Sequence, residues 1–194
     1  MKDDECAITA KSAPGLIEEK ERIGKLAFGA SEFPVAVQAY QECLIFLKWL
    51  PRKERDKEAP RYMTNIASAR FGMRDYELSL GDADRALIVD RTYVKAHYRR
   101  GKALAALRRP VEALSAFLDA LDLDEGNKVL QKEVYRLDKT LTPDQQYAAR
   151  AARAAAAAEA AGPLREGEGA GVREAAKDGA RPRGEPIARR TRPG

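Results

Sequence analysis

Histidine and cysteine are nearly absent from this 194-residue chain, which carries one histidine, His97, and two cysteines, Cys6 and Cys43. A single imidazole leaves one candidate for a general base at neutral pH. Two thiols far apart in sequence suit neither a disulfide framework nor a metal cluster, and they fit a reducing compartment, the cytoplasm. No nucleophile motif is present, and Gly24-Lys25 lacks the upstream glycine that a phosphate-binding loop requires. No run of about 18 apolar residues exists, so no membrane span is expected. Residues 1–15 carry Asp3, Asp4 and Glu5 and have no apolar centre, so they do not read as a secretory signal. Alternating strand patterns are missing as well. These absences exclude most catalytic classes: the expectation is a non-enzyme with no cofactor, no metal and no small-molecule substrate.

What the chain does have is a spaced set of small residues. Gly101 is followed by Ala113, Phe117 and Ala120, at steps of 12, 16 and 19. This spacing fits a helical hairpin in which small residues permit close approach and one aromatic ring fills the gap between helices. A step of 34 residues back takes Gly101 to Ala67, Ala113 to Ser79 and Ala120 to Ala86, all small. Phe117 maps to Ala83, a departure. A further copy starts at Gly24, with Ala36, Tyr40 and Cys43 at the same three steps. Its distance to Ala67 is 43 residues, and the excess falls around Lys48-Trp49-Leu50-Pro51 and the charged run 52–58. The second helix of that copy is expected to run on there and then turn. A helix-turn-helix unit of about 34 residues repeated in phase is the pattern of the tetratricopeptide repeat, TPR.

The resulting expectation is an all-α, right-handed TPR solenoid of three helix-turn-helix repeats with a C-terminal capping helix, an extended Ala-rich helix and a disordered tail. The helix pairs are placed at 16–29 and 34–50, 60–72 and 75–89, and 92–107 and 110–123. Pro34, Pro60 and Pro110 suit first helical turns, and Gly29 and Gly72 suit helix exits. The cap is placed at 126–141, with Val129, Leu130, Val134 and Leu137 forming its apolar face. Thr142-Pro143 then offers an N-cap and first-turn proline for a helix rich in alanine. The domain organisation read from this is a flexible segment 1–15, a repeat domain 16–141, a projecting helix 142–161 and a disordered basic tail 162–194. A chain ending near Leu141 is expected to fold on its own. The tail holds half of the 14 glycines and four of the 10 prolines, without an aromatic residue. Residues 148–194 carry a net charge of +4 out of +5 for the chain, so the repeat body is nearly neutral. Nucleic-acid binding by this tail is disfavoured, because acids are interspersed and no ring is available for stacking.

In stacked hairpins the first helix of each repeat lines the concave surface. The third repeat presents Lys95, Arg99 and Lys102 there, and the second Arg61, Asn65 and Ser68. The first presents Glu18, Arg22 or Glu21, and Lys25. Cations with an asparagine on a rigid wall suit an extended peptide bearing carboxylates. His97 stands one turn before Gly101, a packing position, and Cys43 likewise reads as a buried thiol.

The stretch Val94-Lys95-Ala96-His97-Tyr98-Arg99-Arg100-Gly101, with Asn65, resembles the TPR co-chaperones that bind the C-terminal Glu-Glu-Val-Asp tail of heat-shock chaperones. The resemblance implies a two-carboxylate clamp in which Asn65, Lys95 and Arg99 match family positions. Glu21 stands where the family has lysine, and Lys25 where it has asparagine, so three of five positions match. Phe46-Leu47-Lys48-Trp49-Leu50 looks like the repeat domain of large immunophilins, without an isomerase domain. The function expected is a non-enzymatic adaptor docking a heat-shock chaperone tail or another acidic peptide through Asn65, Lys95, Arg99, Lys25, Lys102 and Arg61. The alternative is a scaffold subunit holding an unrelated peptide or helix.

Overall fold

The computed structural model describes residues 11–161, so the expectations for the first ten residues, Cys6 among them, and for the tail 162–194 lie outside the described residues. Among the described residues the elements are α1 (Ala13–Gly29), α2 (Phe33–Phe46), a 3₁₀ turn (Leu47–Trp49), α3 (Arg52–Gly72), α4 (Tyr76–Val89), α5 (Val94–Ala106), α6 (Pro110–Leu123), α7 (Lys128–Thr140) and α8 (Pro143–Ala161). Each helix from α1 to α6 packs on the next, and α3 also touches α5. This is the three-repeat TPR solenoid with a capping helix.

The repeat phase is written in the packing of two glycines. A Cβ on Gly24 would meet the Tyr40 ring at 2.7 Å, and one on Gly101 would meet the Phe117 ring at 2.7 Å. In both hairpins an aromatic side chain therefore lies flat on bare backbone. The middle repeat replaces this pair by Ala67 and Ala83, both fully buried. It gains polar links in exchange: the Ser79 hydroxyl donates to the Ala67 carbonyl at 2.8 Å, and Arg70 pairs with Asp82 at 2.8 Å.

The turn inside each hairpin repeats as well. Ser31, Arg74 and Arg108 all adopt the left-handed conformation, with φ of 64°, 65° and 59°. The next amide donates back to Ala27, Arg70 and Leu104 respectively, at 2.8, 3.0 and 2.9 Å. These are Schellman closures whose left-handed residue is usually glycine. Gly29 and Gly72 end α1 and α3 as expected, two residues before the left-handed position. Releasing the steric cost of a Cβ at φ > 0 outweighs the added chain entropy of glycine. Arg108→Gly should therefore raise stability by about 0.5–1 kcal/mol, read as a shifted urea midpoint. No gain would mean that the exposed Arg108 side chain makes up for its backbone cost.

Three expectations are corrected. The nine extra residues do not extend α2, which ends at Phe46; they lengthen α3 at its start. Leu50 is extended and Pro51 caps α3, so the chain turns over the 3₁₀ segment. Pro60 accordingly lies inside α3, buried, where it removes one helical donor. α1 begins at Ala13, before the expected Leu16, because Ala13 is fully buried. Finally, α8 does not project over its first three turns. Ala149 is fully buried in a cluster with Phe117, Leu130, Leu137 and Leu141. Arg153 pairs with Asp119 at 2.7 Å and with Asp122, and Arg150 pairs with Asp138 at 3.3 Å. The Gln146 amide donates to the carbonyls of Asp138 and Leu141, covering the open end of α7.

Two helix starts, those of α7 and α8, follow from side-chain caps. Asn127 accepts from the amides of Val129 and Leu130, which sets α7 at Lys128. Thr142 and Gln145 exchange hydrogen bonds in a capping box that starts α8. Among the described residues no helix is long and apolar enough to cross a membrane.

Candidate peptide-binding groove

Helices α1, α3, α5 and α7 form one wall. Glu21 of α1 reaches Arg61 of α3, and Lys102 of α5 reaches Glu133 of α7. Arg61 and Glu58 lie close enough to Tyr93, the N-cap residue of α5, to act on its phenol, whose pKa burial raises.

The α1–α3 part of the wall is a closed ion network. Arg61 donates to both Glu21 oxygens, at 2.7 and 2.9 Å, in the bidentate geometry that guanidinium favours. The Tyr62 hydroxyl donates to the same carboxylate at 2.9 Å, and Lys25 lies 2.5 Å from it. Arg61 also pairs with Glu58 at 2.9 Å and lies over the Tyr62 ring, 4.7 Å from its centre. Burial works to raise the Glu21 pKa, but the hydrogen bonds from Lys25, Arg61 and Tyr62 outweigh it and bring it from 4.5 down to about 2. Two of the expected peptide contacts, Lys25 and Arg61, are thus engaged by a residue of the chain itself. The sequence placed Glu21 on the wall, where the family has lysine. It gave no sign that Arg61, 40 residues on, neutralises it, because the pairing depends on the packing of α1 against α3.

This network carries a pH prediction. A carboxylate whose pKa falls on folding contributes stability that is complete above its ordinary value and is lost as pH drops towards the folded value. Glu21 should contribute at most roughly 3 kcal/mol above about pH 5, declining to nothing near pH 2. Denaturation of the parent and of Glu21→Gln should differ most at neutral pH and converge in acid. A gap that does not narrow in acid would show that the loss in the variant is not electrostatic.

The α5 part of the wall is different. Lys95 is exposed and Arg99 half-buried, one helical turn apart. Among the described residues neither has an acidic partner; Arg99 meets only the Tyr98 ring, 5.5 Å from its centre. Burial lowers the Arg99 pKa, which Tyr98 partly opposes. Lys102 shares Glu133 with Arg136, at 3.3 and 2.7 Å. The Asn65 side chain, half-buried on α3, makes no hydrogen bond among the described residues, whereas Ser68 is turned inward and donates to the Thr64 carbonyl. Beside Lys95 a cavity of about 240 Å³ opens between α5 and α7, lined by Val94, Tyr98, Asn127, Val129 and Leu130. The sequence reading missed it, since Val129 and Leu130 were assigned to the apolar face of the cap alone.

The remaining residues singled out in the sequence are structural. Cys43 is buried, its thiol donates to the Ile17 carbonyl at 3.6 Å, and burial pushes its pKa up to about 12, away from reactivity. His97 donates through Nε2 to the Arg91 carbonyl at 2.8 Å and closes the turn before α5.

Fold and wall define a TPR domain with a partly cationic concave face. No protein-family model matches the chain. It is similar to RNA polymerase II-associated protein 3 of Mus musculus, 27% identical over 152 residues, 78% of this chain and 21% of that protein. Small glutamine-rich tetratricopeptide repeat-containing protein 2 of Saccharomyces cerevisiae is 28% identical over 110 residues, 57% of this chain and 29% of that one. The chain spans about a fifth of the length of the RNA polymerase II-associated relatives. Among solved structures, the first TPR of Spaghetti (RPAP3) bound to HSP90 peptide SRMEEVD matches with a TM-score of 0.56 at 25% identity, over 68% of this chain and 97% of that one. The Arabidopsis OM64 TPR domain matches with a TM-score of 0.58 at 26% identity, over 66% and 99%.

Proposed function

We propose that this domain is a non-enzymatic adaptor of the co-chaperone type, which docks an acidic peptide of the Glu-Glu-Val-Asp kind on its concave wall in a reducing, cytoplasmic setting. The observation that carries this reading is the pair Lys95 and Arg99, two cations one turn apart with no acidic partner among the described residues. A partly buried guanidinium facing only a ring is relieved by a ligand carboxylate, which it can take in two parallel hydrogen bonds. Asn65 on the neighbouring helix has its amide free for a peptide backbone. Lys102, half-satisfied by Glu133, adds charge at the far end. The similar RPAP3 domain was solved with an HSP90 peptide ending in EEVD, which supports a ligand of this chemistry. The engagement of Lys25 and Arg61 by Glu21 favours a second reading, a scaffold that holds an unrelated acidic peptide.

Calorimetric titration with a Met-Glu-Glu-Val-Asp peptide tests the proposal. The expected Kd is micromolar, about −8 kcal/mol, and weaker at high salt. Lys95→Glu and Arg99→Glu should each weaken binding at least about tenfold while the melting temperature holds. Binding that ignores both reversals would remove the groove from the mechanism.

A further inference from the structure

Resting on the groove reading above, we infer that the ligand is an internal acidic segment, held by one side-chain carboxylate at Lys95 and Arg99 with an adjacent aliphatic side chain in the α5–α7 cavity, and that no free chain terminus is needed.

The α1–α3 part of the wall already holds a carboxylate, that of Glu21. Four donor contacts, two from Arg61 and one each from Tyr62 and Lys25, converge on the Glu21 carboxylate. Glu21 sits there as a ligand carboxylate would, supplied by the chain itself. A second carboxylate entering this region would have to displace Glu21, share donors whose geometry is already used, or rest on the exposed Arg22 alone. Nor does charge draw it in. Among the residues on this part of the wall and the partners they hold, Glu18, Glu21 and Glu58 match Arg22, Lys25 and Arg61 in number.

Unmatched charge is left on α5. Lys95 and Arg99 span one helical turn, room for one carboxylate between them. Lys95 also borders the cavity of about 240 Å³ whose other walls include Val94, Tyr98, Val129 and Leu130. The volume is below the range of roughly 300–1,000 Å³ that takes a drug-sized molecule, so it suits a side chain rather than a metabolite. A carboxylate and an apolar pocket sharing one lysine describe an Asp or Glu beside Val, Leu, Ile or Met in an extended peptide. Such a pair occurs inside chains as readily as at their ends, and nothing in its two anchors reads a terminus.

The test uses the full chain and a labelled Met-Glu-Glu-Val-Asp peptide in three forms: free acid, C-terminal amide, and extended beyond the aspartate by a Gly-Ser stretch. Fluorescence anisotropy should give affinities within about twofold of one another. Val129→Asp, which charges the cavity at an exposed residue, should weaken all three by about fivefold or more with an unchanged melt. Glu21→Gln should strengthen the free acid relative to the amide, since it removes the internal carboxylate's charge. If only the free acid binds, and Arg99→Glu abolishes it, the groove reading stands and this inference is overturned. Binding of all three forms that ignores Val129→Asp overturns the cavity as an anchor and with it the inference. If none of the three binds, the groove reading itself fails and the inference falls with it.

Discussion

Asp82→Ala should cost the domain about 3–5 kcal/mol, a large fraction of the stability of a small solenoid. Asp82 is almost fully buried in the middle repeat, and its carboxylate lies 2.8 Å from the mostly buried Arg70. Burial raises its pKa, while Arg70 and Arg85 oppose the shift. Arg85, at 3.4 Å and largely exposed, cannot take over the role of the missing carboxylate. Removing it leaves the Arg70 guanidinium unpaired between helices that also meet through Ala67, Ser79, Ala83 and Ala86 and through the Phe71 and Tyr76 rings. Asp82→Asn should lose most of the same energy while keeping the shape. The double variant Arg70→Met with Asp82→Leu should recover much of it, because a matched apolar pair replaces a buried charge pair at little cost. Urea melts of the four proteins decide the matter. An Asp82→Ala loss below about 1 kcal/mol would mean that water reaches Arg70 and that the middle repeat is held by its small residues alone.

A chain ending at Leu141 should be less stable than one ending at Ala161 by about 2–4 kcal/mol, or roughly 5–15 °C in melting temperature. This reverses the expectation that the repeats and α7 suffice. α8 covers Leu130, Leu137 and Leu141, buries Ala149 completely, and ties itself to α6 and α7 through Arg153 and Arg150. It also satisfies two carbonyls at the end of α7 through Gln146. Arg153→Ala in the longer chain should lose a smaller share, because its ion pairs are partly exposed and the apolar contacts remain. Equal melts for the two lengths would show that α8 lies on the cap without supporting it.

The repeat phase was legible because it is a matter of size at fixed steps. Gly24 with Tyr40 and Gly101 with Phe117 stand out in the sequence as small residues followed by rings, and the folded chain places each ring on its glycine. The start of α3 was not legible, since Pro60 reads as a first-turn residue and nothing local shows that the helix starts already after Pro51. α8 was misread for a related reason. Alanine announces helix propensity but not a partner, and its small contact area is supplemented here by arginines pairing with Asp119, Asp122 and Asp138 on other helices. The placement of Lys95 and Arg99 on α5 and of Asn65 on α3 could be read from spacing within and between repeats. The state of Lys25 and Arg61 could not, because it is fixed by Glu21 across a helix interface.

The pairing of Glu21 with Arg61 and Lys25 also shapes how fast a ligand arrives. Unmatched charges raise the local concentration of an oppositely charged chain and speed its encounter, over a range of about 8 Å at physiological ionic strength. With the α1–α3 wall balanced, the field reaching solvent from the groove comes chiefly from Lys95 and Arg99. On the proposed reading an acidic segment would be drawn towards one end of the wall, and association would gain little from steering along the rest. Differences in affinity among such ligands would then reside in how long each stays, set by the proposed fit of one carboxylate and one apolar side chain, rather than in how often they meet.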